Sequence, residues 1–369
     1  MSAAYFEHLA GARGIAAAVV CLSHVIQIQF LRFTGLGTSL HKTSSIASEY
    51  AVLVFFVLSG YLITHALETN IQKNGYLRLN RFIAARVARI YPPFLFAVLI
   101  SVVIFMILDG FNLPGRESPF GAPSDLYAAR DRINLSASEV KDALLMKQGM
   151  LEINGPLWSL YIEVKLYILF ACALALLDKY PNFFRKIFIA IIFFLVARSG
   201  LINNPGFAPY AAIWLVGSAS YYLWSGPERP ANRLLFCACA IIASIFSEAW
   251  RTASDVAALL NCVRDLTIAA AAGWLLFKIR IPVPNFRPLA DCSYSLYVTH
   301  FPLLIMVQSL LIFLGHNSIE GAVVGAVIGV VLVGAVARVG GAIEAEKSTI
   351  QSALLNLAER MNRKGPTGS

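Results

Sequence analysis

Apolar residues in this chain run in blocks of about 18–22, the length a helix needs to cross a hydrocarbon core of roughly 30 Å. About ten such blocks stand out: near Arg13–Leu31, Ile46–Leu67, Tyr91–Leu108, Pro156–Leu177, Phe184–Leu201, Ala208–Trp224, Leu234–Ala249, Leu259–Phe277, Cys292–Leu314 and Gly321–Val339. They predict an all-α protein, a polytopic transmembrane bundle of about ten spans. No fixed-period repeat or composition shift marks a second soluble domain, so residues 1–345 read as one integral membrane domain and 346–369 as a tail.

Composition agrees. The 369 residues are 58% hydrophobic and 14% charged, against about 25% charged in a soluble domain, which excludes a water-soluble enzyme. The net charge of +9 raises nucleic acid, anionic lipid and an anionic ligand as partners, and the positions of the charges decide among them. With the N-terminus inside, roughly 18 of the 30 Lys and Arg fall in inner loops and roughly 9 in outer ones. Both termini are therefore expected in the cytoplasm, and the basic excess reads as membrane topology rather than nucleic-acid binding. The densest inner segment, Leu77–Phe94, sets Leu77, Phe82, Ile83, Val87 and Ile90 against Arg78, Arg81, Arg86 and Arg89 at helical spacing. It predicts a surface helix that ends at Pro92-Pro93, where the next span begins.

The six cysteines have no CxxC spacing and no matching histidine set, so they read as buried thiols and no metal is expected. The first residues lack the Lys and the cleavage site of a removable signal peptide. The one long polar connection, Asp109–Asn154, reads as a solvated loop or as a lid over a substrate entrance.

Ionisable groups inside spans cost a few kcal/mol and are functional candidates for that reason. Arg13 opens the first span and His24 lies eleven residues on, roughly 16 Å deeper at 1.5 Å per residue. Glu163 sits about two turns into the fourth span, with Lys165 on a different helix face. A carboxylate there needs a partner, His24 or an arginine. Ser293, Tyr297 and His300 follow at steps of four and three and so share one helix face. Ser59-Gly60 in FFVLSGYLIT permits a close backbone approach. Arg264-Asp265 reads as an interior pair or a snorkelling one.

Taken in order, these segments resemble the membrane-bound acyltransferase family 3, the type that O-acylates bacterial surface polysaccharides. RGIAAAVVCLSH carries an Arg-x10-His pattern in Arg13 and His24, FFVLSGYLIT matches the second-helix motif, and RVAR supplies Arg86 and Arg89. NGPLWSLYIEVKLY contributes Glu163, and CSYSLYVTHFP contributes Ser293, Tyr297 and His300; Ala290 departs from the glycine common before that last motif. The resemblance implies a multi-pass enzyme of the bacterial inner membrane, without the soluble esterase-like domain that some members append. It would move an acyl group, usually acetyl, from cytoplasmic acyl-CoA to a saccharide hydroxyl, with membrane lipids, the saccharide and acyl-CoA as partners.

On that resemblance Arg13, Arg86 and Arg89 are expected to bind the coenzyme phosphates. His24 is expected to act as base with Glu163 orienting it, and Ser293, Tyr297 and His300 to line the acceptor or oxyanion side. An acyl-His24 intermediate is the competing mechanism. The competing function is a transporter or flippase for a lipid-linked saccharide, against which stands the lack of an inverted half-repeat.

Overall fold

The computed structural model describes residues 3–35, 37–115, 133–177, 183–204, 206–226, 231–251, 256–284 and 286–363. The described residues form helices and connections with no strand. The helices are α1 (Ala3–Thr34), α2 (Ser39–Asn74), α3 (Leu79–Gly110), α4 (Ala137–Leu144), α5 (Leu157–Leu177), α6 (Phe183–Asn203) and α7 (Phe207–Trp224). They continue with α8 (Ala231–Arg251), α9 (Val256–Gly273, prolonged by a π-helical turn Trp274–Ile279), α10 (Arg287–Asp291), α11 (Ser293–Phe313), α12 (Ile319–Ala345) and α13 (Lys347–Arg363).

Eight of the described helices are long and apolar enough to cross a membrane. The two expected spans not among them are also helical. The sequence of α7 dilutes its apolar residues with Ser, Tyr and Trp. The protein is a multi-pass membrane protein. Its α6 turns Phe183, Phe184, Phe188 and Phe194 outward, as a lipid-facing helix does.

Small residues set the central crossing. A Cβ at Gly60 would collide with the carbonyl oxygen of Trp214, and one at Gly217 with that of Val57, so α2 and α7 approach backbone to backbone. The close approach read from Ser59-Gly60 is thus real. At the opposite side of the bundle a Cβ on Gly14 would lie 3.0 Å from the amide nitrogen of Ala290, and Ala290 is buried there. Its methyl group is accommodated because the glycine stands on the facing helix.

Three expectations change. The basic segment does not end at the prolines: α3 runs unbroken through Pro92 and Pro93. Those rings give no N–H to the carbonyls of Ala88 and Arg89, and the burial of Ala88, Ile90 and Phe94 holds the helix through them.

The connection Asp109–Asn154, of which 116–132 lies outside the described residues, is not a solvated loop in its second half. After α4, opened by a Ser136/Glu139 capping box, Met146, Met150 and Ile153 are buried. Asn154 donates to the Val298 carbonyl at 2.8 Å, Tyr161 to the Gly149 carbonyl at 2.8 Å, and Lys165 Nζ to Asn204 Oδ1 at 2.7 Å and the Met146 carbonyl at 3.3 Å. Apolar side chains and satisfied backbone carbonyls make this segment a plug in the bundle. The cysteines are buried except Cys239, which is exposed. Arg264 is an exposed bridge between Glu49 and Asp265.

Candidate active site

Two histidines from different helices meet in the bundle. His24 Nδ1 of α1 lies 2.8 Å from His300 Nε2 of α11, with the rings stacked at 5.0 Å and Phe301 edge-on to His24. His300 is fully buried, and its Nδ1 faces the carbonyls of Tyr297 at 2.8 Å and Leu296 at 3.1 Å. A carbonyl cannot donate, so in neutral His300 the proton sits on Nδ1 and Nε2 carries the lone pair. His24 must then donate from Nδ1, which places its own lone pair on Nε2. The backbone of α11 thereby fixes the tautomer of both rings.

Glu163 has a different partner. Tyr167, one turn along α5, donates to Glu163 Oε1 at 2.6 Å, accepts from Ser59 Oγ at 3.2 Å, and Ser59 accepts from Trp214 Nε1 at 3.1 Å. Every hydrogen in that chain points toward the carboxylate, the polarity an ionised Glu163 imposes. The donor recorded to Glu163 is thus Tyr167, and the contact recorded at His24 Nδ1 is His300. One turn on the other side of Glu163, Ser159 Oγ lies 2.6 Å from the Tyr297 hydroxyl, and both hydroxyls reach the carbonyl of Pro156 at 3.1 and 3.2 Å. The Tyr297 ring is 6.0 Å from that of His300. Tyr297 thus joins the Ser159 face of α5 to the helix that carries His300.

Two spaces share Arg13 and Arg89 among their lining residues, and the first reaches Glu163, Ser159 and Tyr297. A small chamber is walled by Glu163, Ser159, Tyr297, Tyr294, Arg13 and Arg89. A wider vestibule at the α1 and α13 end is walled by Arg13, Arg89, Asp291, Glu344 and Lys347. Arg13 and Arg89 line both spaces. Arg13 is braced by bonds from Nε to Ser293 Oγ at 2.9 Å and from Nη2 to the Ala290 carbonyl at 3.4 Å, so Ser293 positions the arginine rather than facing the cavity alone. Glu344 anchors the start of α11 by accepting from Ser295 N at 2.8 Å and Ser295 Oγ at 2.6 Å.

Arg86 does not join Arg13 and Arg89. It lines a separate groove between α3, α5 and α6. The expected trio is a pair plus one, because Ile90 and Tyr167 stand between the two spaces.

The chain matches the family model described as "Acyltransferase domain" over residues 7–338. It belongs to acyltransferase family 3. This member is 24% identical to the peptidoglycan O-acetyltransferase OatA of Listeria monocytogenes over 290 residues, 70% of the chain and 45% of that protein. It is also 28% identical over 173 residues, 45% of the chain, to "Protein 2 in picA locus" of Rhizobium radiobacter, 81% of whose length is covered. The chain thus spans about half the length of the O-acetyltransferase it matches. No solved structure matches it.

Ser159, Tyr167, Trp214 and Glu344 were missed as functional candidates from sequence. The first two were visible in principle, since Ser159, Glu163 and Tyr167 repeat every four residues on one face of α5. Trp214 and Glu344 come from other helices and carry no sequence signal that couples them to the site.

Proposed function

We propose that this family member transfers an acyl group, acetyl in the simplest case, from acyl-CoA to a hydroxyl of a saccharide at the bacterial inner membrane. The observation that carries the proposal is the pair of imidazoles whose tautomers leave His24 Nε2 as proton acceptor. Membership of an acyltransferase family and the name of the Listeria relative, a peptidoglycan O-acetyltransferase, support the same reaction and a carbohydrate acceptor.

In this mechanism the coenzyme enters through the vestibule, its phosphates held by Arg89 and Arg13, whose guanidiniums suit bidentate phosphate contacts. The thioester reaches the chamber. His24 Nε2 takes the proton of the acceptor hydroxyl as its oxygen bonds to the thioester carbon. The imidazolium is stabilised because His300 accepts from Nδ1, the part a carboxylate plays in a hydrolase triad. Of the Ser159 and Tyr297 hydroxyls, one bonds Pro156 and the other turns to the carbonyl oxygen as negative charge develops. The C–S bond breaks, and the proton held by His24 passes to the departing thiolate. Products are the O-acyl saccharide and free coenzyme A.

The test uses the purified protein in liposomes with acyl-labelled acetyl-CoA and a saccharide acceptor. Release of one coenzyme A for each acyl group gained by the acceptor supports the proposal. Saccharide crossing the bilayer with no acyl-CoA consumed would overturn it in favour of a carrier.

A further inference from the structure

A proline inside α11 leaves one carbonyl without its helical donor. Pro302 has no N–H, so the carbonyl of Val298, four residues back, receives no intrahelical bond from it, and the proline ring crowds that carbonyl as well. Val298 is fully buried, and a buried carbonyl with no donor is costly.

The missing hydrogen comes from another part of the chain. Asn154, itself fully buried at the end of the plug, donates from Nδ2 to the Val298 carbonyl at 2.8 Å. A carbonyl only accepts, so the amide nitrogen and not the amide oxygen must face it. Oδ1 has no hydrogen-bond partner, which leaves the bond to Val298, with a long 3.4 Å contact to Ser101 Oγ, to fix the side chain. The backbone of Asn154 is fixed too, because its N–H donates to the Met150 carbonyl at 2.8 Å. Met150 holds a left-handed φ of 62°, which a non-glycine residue adopts at a cost.

The turn that Pro302 leaves open is the one that carries His300. Val298 follows Tyr297, whose carbonyl faces His300 Nδ1 at 2.8 Å, and it precedes His300 by two residues. Two residues beyond Asn154, the Pro156 carbonyl accepts from the Tyr297 hydroxyl at 3.2 Å. The segment 154–156 thus touches α11 at two points, the backbone of the His300 turn and the Tyr297 side chain.

We propose that Asn154 is a positioning residue for the reaction. Its amide hydrogen stands in for the one Pro302 lacks, and through the Val298 carbonyl it holds His300 Nε2 in reach of His24 Nδ1. A turn without its own bond lets His300 shift, and a displacement of about 1 Å at a reacting pair costs on the order of 10²-fold in rate. The effect on rate rests on the acyl-transfer proposal, but the state of the His24 ring is measurable without turnover.

Asn154→Leu alone and combined with Pro302→Ala tests this, by kinetics and by nitrogen NMR of isotope-labelled histidine in the detergent-purified protein, with the His24 signals assigned by their loss in His24→Ala. Pro302→Ala returns an N–H to the helix, so it compensates for the donor lost with Asn154. Asn154→Leu lowers kcat about 10–100-fold and leaves KM for acyl-CoA within about twofold. Its His24 ring, which in the wild type holds the proton on Nδ1, gives signals averaged over both tautomers. The double variant regains at least about fivefold in kcat over Asn154→Leu and the wild-type tautomer signals. Where Asn154→Leu alone does not fold, a folded double variant with the wild-type tautomer supports the proposal. Wild-type kcat and tautomer in Asn154→Leu, a double variant no better than Asn154→Leu, or failure of both to fold would each overturn it. The expected tautomer changes in a protein that transfers no acyl group would leave the positioning role standing and sink only the reaction proposed above.

Discussion

His300 holds His24 through a 2.8 Å contact from Nε2 to Nδ1, and His300 is itself held by two carbonyls of its own helix. The direction of each proton follows from those carbonyls alone. His300 is thus a positioning residue whose effect is exerted through His24. Replacing it by Ala removes the acceptor at His24 Nδ1, whereas Gln keeps an oxygen able to take that hydrogen. Turnover should fall about 10²–10³-fold in His300→Ala, with partial recovery in His300→Gln and little change in KM for acyl-CoA. Equal losses in the two variants, or a loss confined to KM, would contradict the positioning role.

Tyr167 and Glu163 are coupled, because the Tyr167 hydroxyl donates to Glu163 Oε1 at 2.6 Å and no other hydrogen bond to that carboxylate is seen among the described residues. Tyr167→Phe and Glu163→Gln should each reduce kcat, by roughly 10–100-fold, and the double variant should be no worse than the poorer single one. A double-mutant cycle on kcat checks this; fully additive losses would show that the two side chains act separately.

In the proposed mechanism the coenzyme phosphates sit on Arg89 and Arg13, which line the vestibule. Arg89→Lys keeps the charge but loses the planar fork, so KM for acyl-CoA should rise about tenfold while kcat holds within a few-fold. Steady-state kinetics over a range of acyl-CoA concentrations decide it, and an unchanged KM would move the phosphates elsewhere.

Gly60 has no room for a methyl group, since the backbone of α7 occupies the place. Gly60→Ala must push α2 and α7 apart, at a cost of about 3 kcal/mol, the upper part of the range for overpacking because backbone cannot give way as a side chain does. The expected outcome is a markedly lower melting temperature in detergent and poor recovery of folded protein. Wild-type melting in Gly60→Ala would mean that the crossing is looser than the structure indicates.

The sequence exposed what is periodic along one chain segment and little of what depends on which segments meet. Long apolar helices were legible because a bilayer demands long apolar runs, and Arg13, His24, Glu163 and the Ser293, Tyr297, His300 face stood out as candidates because polar groups in such runs are rare. The partnership of His24 with His300 was not, since the two lie 276 positions apart and a carboxylate was the more familiar partner for a base. Arg86 and Arg89 look equivalent as a three-residue repeat, yet Ile90 and the Tyr167 ring divide them between two cavities. The plug formed by Met146–Asn154 was hidden for a related reason. Asn154 bonds a carbonyl of α11 while Tyr161 and Lys165 of α5 satisfy carbonyls of the segment, a burial that composition alone does not separate from a loop in water.

The central claim is that the His24 imidazole accepts the acceptor's proton, and turnover of His24→Ala in a properly folded preparation tests it most directly. With folding confirmed by an unchanged melting temperature and retained coenzyme A binding, the account predicts that labelled acyl transfer from acetyl-CoA falls by about 10²–10⁴-fold. Transfer at the wild-type rate in that variant would contradict it.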